Sequence, residues 1–132
     1  QFTNLKFIIV GSSKEKNMYF DEIRKNLPEN LFIDLMGETL SSTSAYMKKS
    51  NLFIGNDSGL MHLSFASNLN TIGLFGPTND IIYGHRNNKS FVIRTAESYE
   101  YFNNINITQS KSYMLSITPK HILDVIINNK LL

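Results

Sequence analysis

Asp57, Ser58, Gly59 and His62 are the residues of this chain whose types and spacing could carry chemistry. They follow an apolar stretch at residues 52–54 that is typical of a short buried strand, and they open a segment with helical apolar spacing. A helix that begins directly after a strand directs its first backbone N–H groups, which have no partner within the helix, toward one point. Such a point attracts phosphate, so we predict an anion site here.

The charges of these residues suggest different roles for them. A carboxylate in direct contact with phosphate would repel it, so we expect Asp57 to accept hydrogen bonds from sugar hydroxyls. The backbone of Ser58 and Gly59 and the Ser58 hydroxyl would hold the phosphate, and Gly59 permits a close approach because it has no Cβ. His62 lies one helical turn after Ser58, where a protonated imidazole would add positive charge. Ordinary helix capping and a structural role for His62 remain open alternatives.

Other chemistries need residues that this chain lacks. A serine hydrolase elbow has glycine two residues before and after the nucleophile, whereas Ser58 has Asn56 and Leu60 there. No G-x-G-x-x-G segment follows a strand, so a dinucleotide fingerprint is absent. The chain has no cysteine, and its three histidines show no ligand spacing. These are His62, His85 and His121. We predict no metal and no cofactor.

Composition indicates one globular domain. Of the 132 residues 42% are apolar and 18% charged, which is enough apolar material for a core. The 13 basic and 11 acidic residues are scattered, so we expect no nucleic-acid partner. No apolar run reaches the ~18 residues of a membrane span, and no signal peptide is evident. A cytoplasmic domain is the expectation.

Alternating strand and helix patterns position these residues. Short continuous apolar stretches, typical of parallel strands covered on both faces, occur at residues 5–10, 31–35, 52–54, 71–75 and 91–93. Helices are predicted at about 17–27, 39–49 and 58–67, and a last helix begins at Thr118 and Pro119. We interpret 79–90 as a loop and 97–111 as irregular or partly helical. The fold class is therefore α/β, a mainly parallel Rossmann-like sheet with helices on both faces.

Turns of small residues follow the first four strands, at 11–13, 37–39, 56–59 and 76–78. Ligands of such sheets lie beyond the carboxyl ends of the strands, so we expect Gly11, Glu38, Thr39 and Thr78 to share one edge with the phosphate site. Glu38 or Glu15 could bind ribose hydroxyls or a base amine, and Thr78 could donate its hydroxyl. Solvated loop charge and turn stabilisation are the alternatives.

The chain also resembles the C-terminal half of family 9 glycosyltransferases, the bacterial ADP-heptose:lipopolysaccharide heptosyltransferases. The blocks G-N-D-S-G-L-M-H-L from Gly55 and F-G-P-T from Phe75 carry this resemblance most specifically. Further matching segments lie at residues 7–15, 34–40, 83–84 and 114–119. In order and spacing they cover nearly the whole chain.

The resemblance implies the donor-binding domain of a glycosyltransferase B fold. By it, Asp57, Ser58, Gly59 and His62 occupy the sugar-diphosphate motif, and Glu38 lies near the nucleoside. The acceptor domain with its catalytic base would lie upstream, together with the first donor-domain strand. We therefore expect residues 1–132 to be a donor-binding domain incomplete at its N-terminus, with no catalytic residue of its own and no activity alone.

The functional hypothesis is transfer of a heptose or similar sugar from a nucleotide diphosphate sugar, ADP-heptose, to a lipopolysaccharide core acceptor. The partners would be that donor and a lipid-linked saccharide reached through the missing domain, at the inner face of the inner membrane. Two alternatives remain open. One is a non-catalytic binding or assembly module that associates with itself through exposed sheet edges, and the other is a family 9 enzyme that uses another sugar.

Overall fold

Short parallel strands alternate with helices along the chain. The computed structural model describes residues 4–108 and 111–132. The chain divides into two compact units, Gln1–Tyr46 and Met47–Leu132.

The first unit is built on a pair of parallel strands. Its elements are β1 (Phe7–Ile9), α1 (Ser13–Asn26), β2 (Phe32–Asp34) and nearly all of α2 (Leu40–Met47). β1 pairs with β2 from Phe7 opposite Phe32 to Ile9 opposite Asp34. A 3-10 turn, Glu29–Leu31, leads into β2. Because the strands are parallel, the turns that follow them lie at the same end of this sheet.

The second unit holds a three-stranded parallel sheet in the order β3-β4-β5. Its elements are β3 (Leu52–Asn56), α3 (Gly59–Ala66), β4 (Asn70–Phe75), α4 (Asp80–Tyr83), β5 (Ser90–Arg94), α5 (Tyr99–Asn103) and α6 (Pro119–Asn129). Ile72 and Phe75 of β4 are completely buried. Ile72 and Ile93 form a core with Ile126 and Leu131, so α6 covers the sheet.

The five predicted strands and their parallel direction are confirmed. The helix predicted from residue 17 begins earlier, at Ser13, because Ser12 and Glu15 form a capping box there. The last helix begins as predicted, with Thr118 as N-cap and Pro119 in the first turn. Residues 97–111 do contain a short helix, α5, so the interpretation as partly helical is confirmed.

The interpretation of residues 79–90 as a loop without helix is wrong at its start. The Asn79 side chain accepts hydrogen bonds from the N–H groups of Ile81 and Ile82, at 2.9 and 3.3 Å. This cap allows the single turn of α4 to form although Ile81 and Ile82 are exposed and give it no apolar stripe. Local capping therefore outweighed the absence of a helical period.

Within residues 4–108 and 111–132, no helix combines the length and the apolar character needed to cross a bilayer.

Candidate functional site

The start of α3 lies directly beyond β3. The Asp57 N–H donates to the Leu74 carbonyl at 3.1 Å, so Asp57 continues the pairing of β3 with β4 and has a fixed position. Ser58 is the N-cap in extended conformation, and its Oγ accepts a hydrogen bond from the Met61 N–H at 3.4 Å. The alternative of helix capping is thus confirmed for Ser58. Capping uses only an acceptor lone pair, and the Ser58 O–H stays available as a donor.

The space in front of α3 is open. A Cβ atom built on Gly59 would meet nothing within 4 Å, and both Ser58 and Gly59 are exposed. The first turn of α3 contains no acidic residue. The backbone N–H groups of an uncovered helix start, together with the helix dipole, favour an anion at this place.

His62 lies on the side of α3 that faces Asp57. Its Nε2 is 3.7 Å from Asp57 Oδ1, and the side chains are 42% and 15% exposed, respectively. An acid and an imidazole therefore stand next to the helix start, with part of the imidazole open to solvent. The spacing of four residues predicted that His62 lies on the same side as Ser58. Asp57 is five residues before His62 and precedes the helix, so its contact with His62 was not predicted.

His85 also belongs to this cluster, and the sequence reasoning missed it. His85 Nε2 is 2.9 Å from His62 Nδ1, and the His85 ring stacks on Phe65 with centroids 3.8 Å apart and planes within 4°. Burial, and secondarily the charge of His62, lower the pKa of His85. His85 lies 23 residues from His62, so no local spacing signals the contact.

The turns of the first unit join each other through backbone atoms. The Gly37 N–H donates to the Gly11 carbonyl at 2.8 Å, and Gly37 has a φ of 86°, which favours glycine. A Cβ on Gly11 would lie 3.0 Å from Met36 Cε and 3.3 Å from Glu15 Oε2. Gly11 therefore has a packing role. Its predicted contact with a ligand stays a prediction.

Glu15 has a structural partner. Its carboxylate accepts hydrogen bonds from the Ser12 N–H and the Ser12 hydroxyl, both at 2.7 Å. These two bonds outweigh desolvation and lower the pKa of Glu15. The carboxylate is used to close the start of α1, so the structure favours capping over a ribose contact for Glu15.

Glu38 and Thr39 connect β2 to α2 and are exposed. The Glu38 N–H donates to the Leu35 carbonyl at 3.2 Å, and the Thr39 Oγ1 accepts from the Ser42 N–H at 3.2 Å, as an N-cap does. Glu38 and Thr39 belong to the first unit with Gly11, whereas Asp57, Ser58, Gly59 and His62 lie together in the second. That Gly11, Glu38 and Thr39 bind the same ligand stays a prediction.

Thr78 is held through its backbone. Its carbonyl accepts a hydrogen bond from Arg94 Nη1 at 2.9 Å, and the same nitrogen donates to Asp80 Oδ1 at 2.7 Å. Arg86 donates to the other Asp80 oxygen at 2.5 Å. Burial opposes ionisation of Asp80, but the Arg86 hydrogen bond and the charges of Arg94 and Arg86 outweigh it and lower the pKa of Asp80. The sequence reasoning missed this network, and the role of the Thr78 hydroxyl stays a prediction.

No metal centre is formed by the residues that the structure describes, since no three histidine, aspartate or glutamate side chains among them converge on one point.

Comparison with known proteins gives these features a context. The sequence profile of the family described as glycosyltransferase family 9 (heptosyltransferase) matches residues 1–111. Lipooligosaccharide heptosyltransferase 2 of Haemophilus influenzae is 34% identical over 93 residues, which make up 67% of this chain and 27% of that protein. The chain thus spans about a quarter of the length of this curated relative.

Two solved structures share the fold. The crystal structure of the family 9 glycosyl transferase from Veillonella parvula superimposes with a TM-score of 0.77 at 27% identity, over 96% of this chain and 36% of that one. The structure of the E. coli ADP-heptose lps heptosyltransferase II gives a TM-score of 0.63 at 23% identity, with the same coverage. At 23% identity, the second structure supports a shared fold but no shared function. The expected α/β class with parallel sheets is confirmed.

Proposed function

The chain belongs to glycosyltransferase family 9, the heptosyltransferase family, and from this premise we propose that it forms the donor-binding part of a sugar transferase. The donor is a nucleotide diphosphate sugar, ADP-heptose in the first instance, and the acceptor is the core of a lipopolysaccharide. In this proposal the chain binds the donor, and a longer protein supplies acceptor binding and the catalytic base. The lengths of the relatives, of which this chain covers 27% and 36%, support such a division.

The open start of α3 is the observation that carries this proposal. Transfer of the sugar leaves a nucleoside diphosphate, and negative charge grows on the phosphate that leaves. Backbone N–H groups already aimed at that phosphate stabilise the growing charge without having to reorganise. The free space in front of Gly59 leaves room for the phosphate within contact of the backbone.

The side chains around this helix start supply the remaining contacts. The Ser58 hydroxyl donates to a phosphate oxygen, because its cap bond with Met61 uses only an acceptor lone pair. Asp57 accepts hydrogen bonds from the sugar hydroxyls. His62, beside Asp57 and 42% exposed, adds positive charge toward the diphosphate when it is protonated.

The nucleoside is proposed to contact the strand-end turns of the first unit. Glu38 accepts hydrogen bonds from ribose hydroxyls or a base amine, and Gly11 and Thr39 offer backbone and hydroxyl groups beside it. Thr78 donates its hydroxyl to the donor sugar or phosphate. The exposure of Glu38, Thr39 and Thr78 supports access by a ligand.

Calorimetric titration of the intact protein with ADP-heptose tests the proposal. We expect saturable binding by the wild type and a loss of about tenfold or more in affinity for Asp57→Ala, because the sugar hydroxyls lose a charged acceptor. Asp124→Ala is the matched control, since it also removes a carboxylate, from the exposed Lys120–Asp124 pair of α6. Absence of binding, or equal affinity of the wild type and Asp57→Ala, would contradict the proposal.

A second candidate is a binding module that assembles with other chains. It is favoured by Phe7 and Ile33 on the two-stranded sheet, which are 42% and 41% exposed. Apolar side chains on a short sheet invite pairing with another surface. Light scattering after gel filtration distinguishes this candidate, because it predicts a stable oligomer that Phe7→Ser with Ile33→Ser dissociates. A monomeric wild-type protein would contradict it.

A further inference from the structure

The hydrogen bond between His62 and His85 requires one ring to donate and the other to accept. His62 Nδ1 and His85 Nε2 are 2.9 Å apart, and the rings are close to perpendicular, at 85°. Two protonated nitrogens cannot share this contact. The pair therefore holds at most one of its two facing nitrogens in the protonated form.

The surroundings of the two rings differ. Nε2 of His62 lies 3.7 Å from the Asp57 carboxylate, which attracts positive charge to His62. His85 lies against the face of Phe65 and is half-buried, so that a charge on His85 would lose solvation. A positive charge on this pair is accordingly expected on His62.

We propose that His85 is a positioning residue that accepts a hydrogen bond from the His62 Nδ1–H and so holds a protonated His62 beside the start of α3. This inference rests on the proposed function, since the diphosphate of the donor is what a cation at this place would serve. His62 then has one N–H directed to His85 and its second, on Nε2, on the side of Asp57 and the solvent. The ring cannot rotate away without losing the bond to His85.

The charged groups around the pair agree with a neutral His85. Burial, and then the charge of His62, lower the pKa of His85, which favours its neutral form. Asp57 is the acidic group that contacts His62. The neighbouring Arg86 guanidinium binds the Asp80 carboxylate and the Asp80 carbonyl, at 2.5 and 3.0 Å. Protonation of both histidines would bring two like charges together.

Histidine-selective 15N NMR on the ligand-free wild type tests the hydrogen bond without any donor. In a titration from pH 8 to pH 5.5, the first proton that the pair takes up is expected on His62, while His85 keeps an unprotonated Nε2 and a protonated Nδ1. Uptake of a proton by His85 before His62 would overturn the inference. So would a His85 that keeps its proton on Nε2 while His62 is charged.

Binding of ADP, measured by calorimetry between pH 6 and 8, tests the positioning role. We expect His85→Ala to weaken ADP binding by about fivefold to tenfold at the lower pH and to flatten the pH profile, because a charge-assisted hydrogen bond is lost. His85→Gln, which retains an acceptor oxygen, should recover affinity to within about twofold of wild type. His121→Ala is the matched control, since it removes a histidine at the start of α6, and its affinity should not change.

These outcomes separate the inference from the proposed function. A wild-type protein that binds no ADP overturns the proposed function, and the order of protonation then still decides whether His85 is the acceptor. Normal ADP binding with an unchanged pH profile in both His85→Gln and a folded His85→Ala overturns the positioning role. Where His85→Ala does not fold, the order of protonation measured by NMR on the wild type still decides the inference.

Discussion

The starts of α1 and α3 have similar local sequences, but one is covered by a side chain and the other is open to solvent. Each follows a parallel strand and is capped by a serine, Ser12 or Ser58. At α1, the Glu15 carboxylate folds back onto the Ser12 N–H and hydroxyl, both at 2.7 Å. At α3, a Cβ placed on Gly59 would find nothing within 4 Å. The first helix start is closed by its own chain, and the second is open.

The difference comes from one position, three residues after the serine. At α1 this residue is Glu15, which returns to the cap and satisfies donors that an anion would otherwise use. At α3 it is Met61, which is 2% exposed and packs in the core. A strand, a serine turn and a helix therefore do not by themselves predict an anion site. The residue at the third helical position decides whether the helix start is free for a ligand.

Placing a carboxylate at the open start is the strongest test of this comparison. We expect Gly59→Asp to weaken ADP binding by about 100-fold, because like charges a few ångströms apart cost on the order of 3 kcal/mol near a protein surface. The melting temperature should stay equal to that of the wild type or rise slightly, because a negative side chain in the first turn interacts favourably with the helix dipole. Calorimetry and a melting curve on the same sample measure both effects.

Gly59→Ala is the matched control for size without charge. The added Cβ enters open space in the unliganded protein, so that folding should be as stable as in the wild type or more so by up to about 1 kcal/mol. Affinity for ADP should fall by about tenfold, because the phosphate approaches the backbone at this point. An unchanged affinity for ADP in both variants would mean that the open space does not hold the ligand.

The start of α4 adds a third case, in which the carboxylate is held by arginines. Asp80→Asn should lower the free energy of unfolding by about 2 kcal/mol at pH 7, because Arg94, whose side chain is 18% exposed, loses its ionic partner. The pKa of Asp80 is lowered in the fold, so its contribution is present above the unfolded value of 3.8 and lost as the pH falls through the folded value. Urea unfolding at pH 7 and pH 3 measures the difference.

Asp124→Asn is the control, because its exposed pair with Lys120 contributes less than about 0.5 kcal/mol. If Asp80→Asn and Asp124→Asn unfold at the same urea concentration, the arginines do not stabilise the fold through Asp80.

Opening the closed start of α1 should have the smallest effect. Glu15→Gln keeps the shape but weakens the capping box, and we expect a loss of about 0.5–1 kcal/mol in the free energy of unfolding. The Ser12 hydrogen bonds lower the pKa of Glu15, so the loss should be seen above pH 4.5 and should disappear as the pH falls through the folded pKa. Urea unfolding across this range measures it, and Glu22→Gln, in the exposed middle of α1, is the control. A loss independent of pH would contradict a role for the charge.

Much of the fold could be predicted from local patterns. The apolar stretch at 71–75 indicated β4, and Thr118 with Pro119 indicated the start of α6, because burial and capping act over a few residues. The start of α1 was placed too late because the apolar stripe was read without the Ser12–Glu15 box. α4 was missed because its single turn depends on the Asn79 cap and shows no periodicity.

The site was also predicted only in part: relations within one helical turn were predicted, and contacts between distant residues were not. The position of His62 one helical turn after Ser58 follows from helical spacing, which the sequence expresses directly. The ion pairs of Asp80 with Arg86 and Arg94 span six and fourteen residues across a loop and a strand end, where no period applies.

The sequence by itself determined the order of strands and helices, the parallel class and the residues at the start of α3. Only the tertiary structure decided that no other segment fills the space beside Gly59, and that His85 stacks on Phe65 and meets His62. The physical reason is the range of the interactions. Periodicity and capping act between residues a few positions apart, whereas free space and side-chain contacts between distant segments depend on how the elements pack.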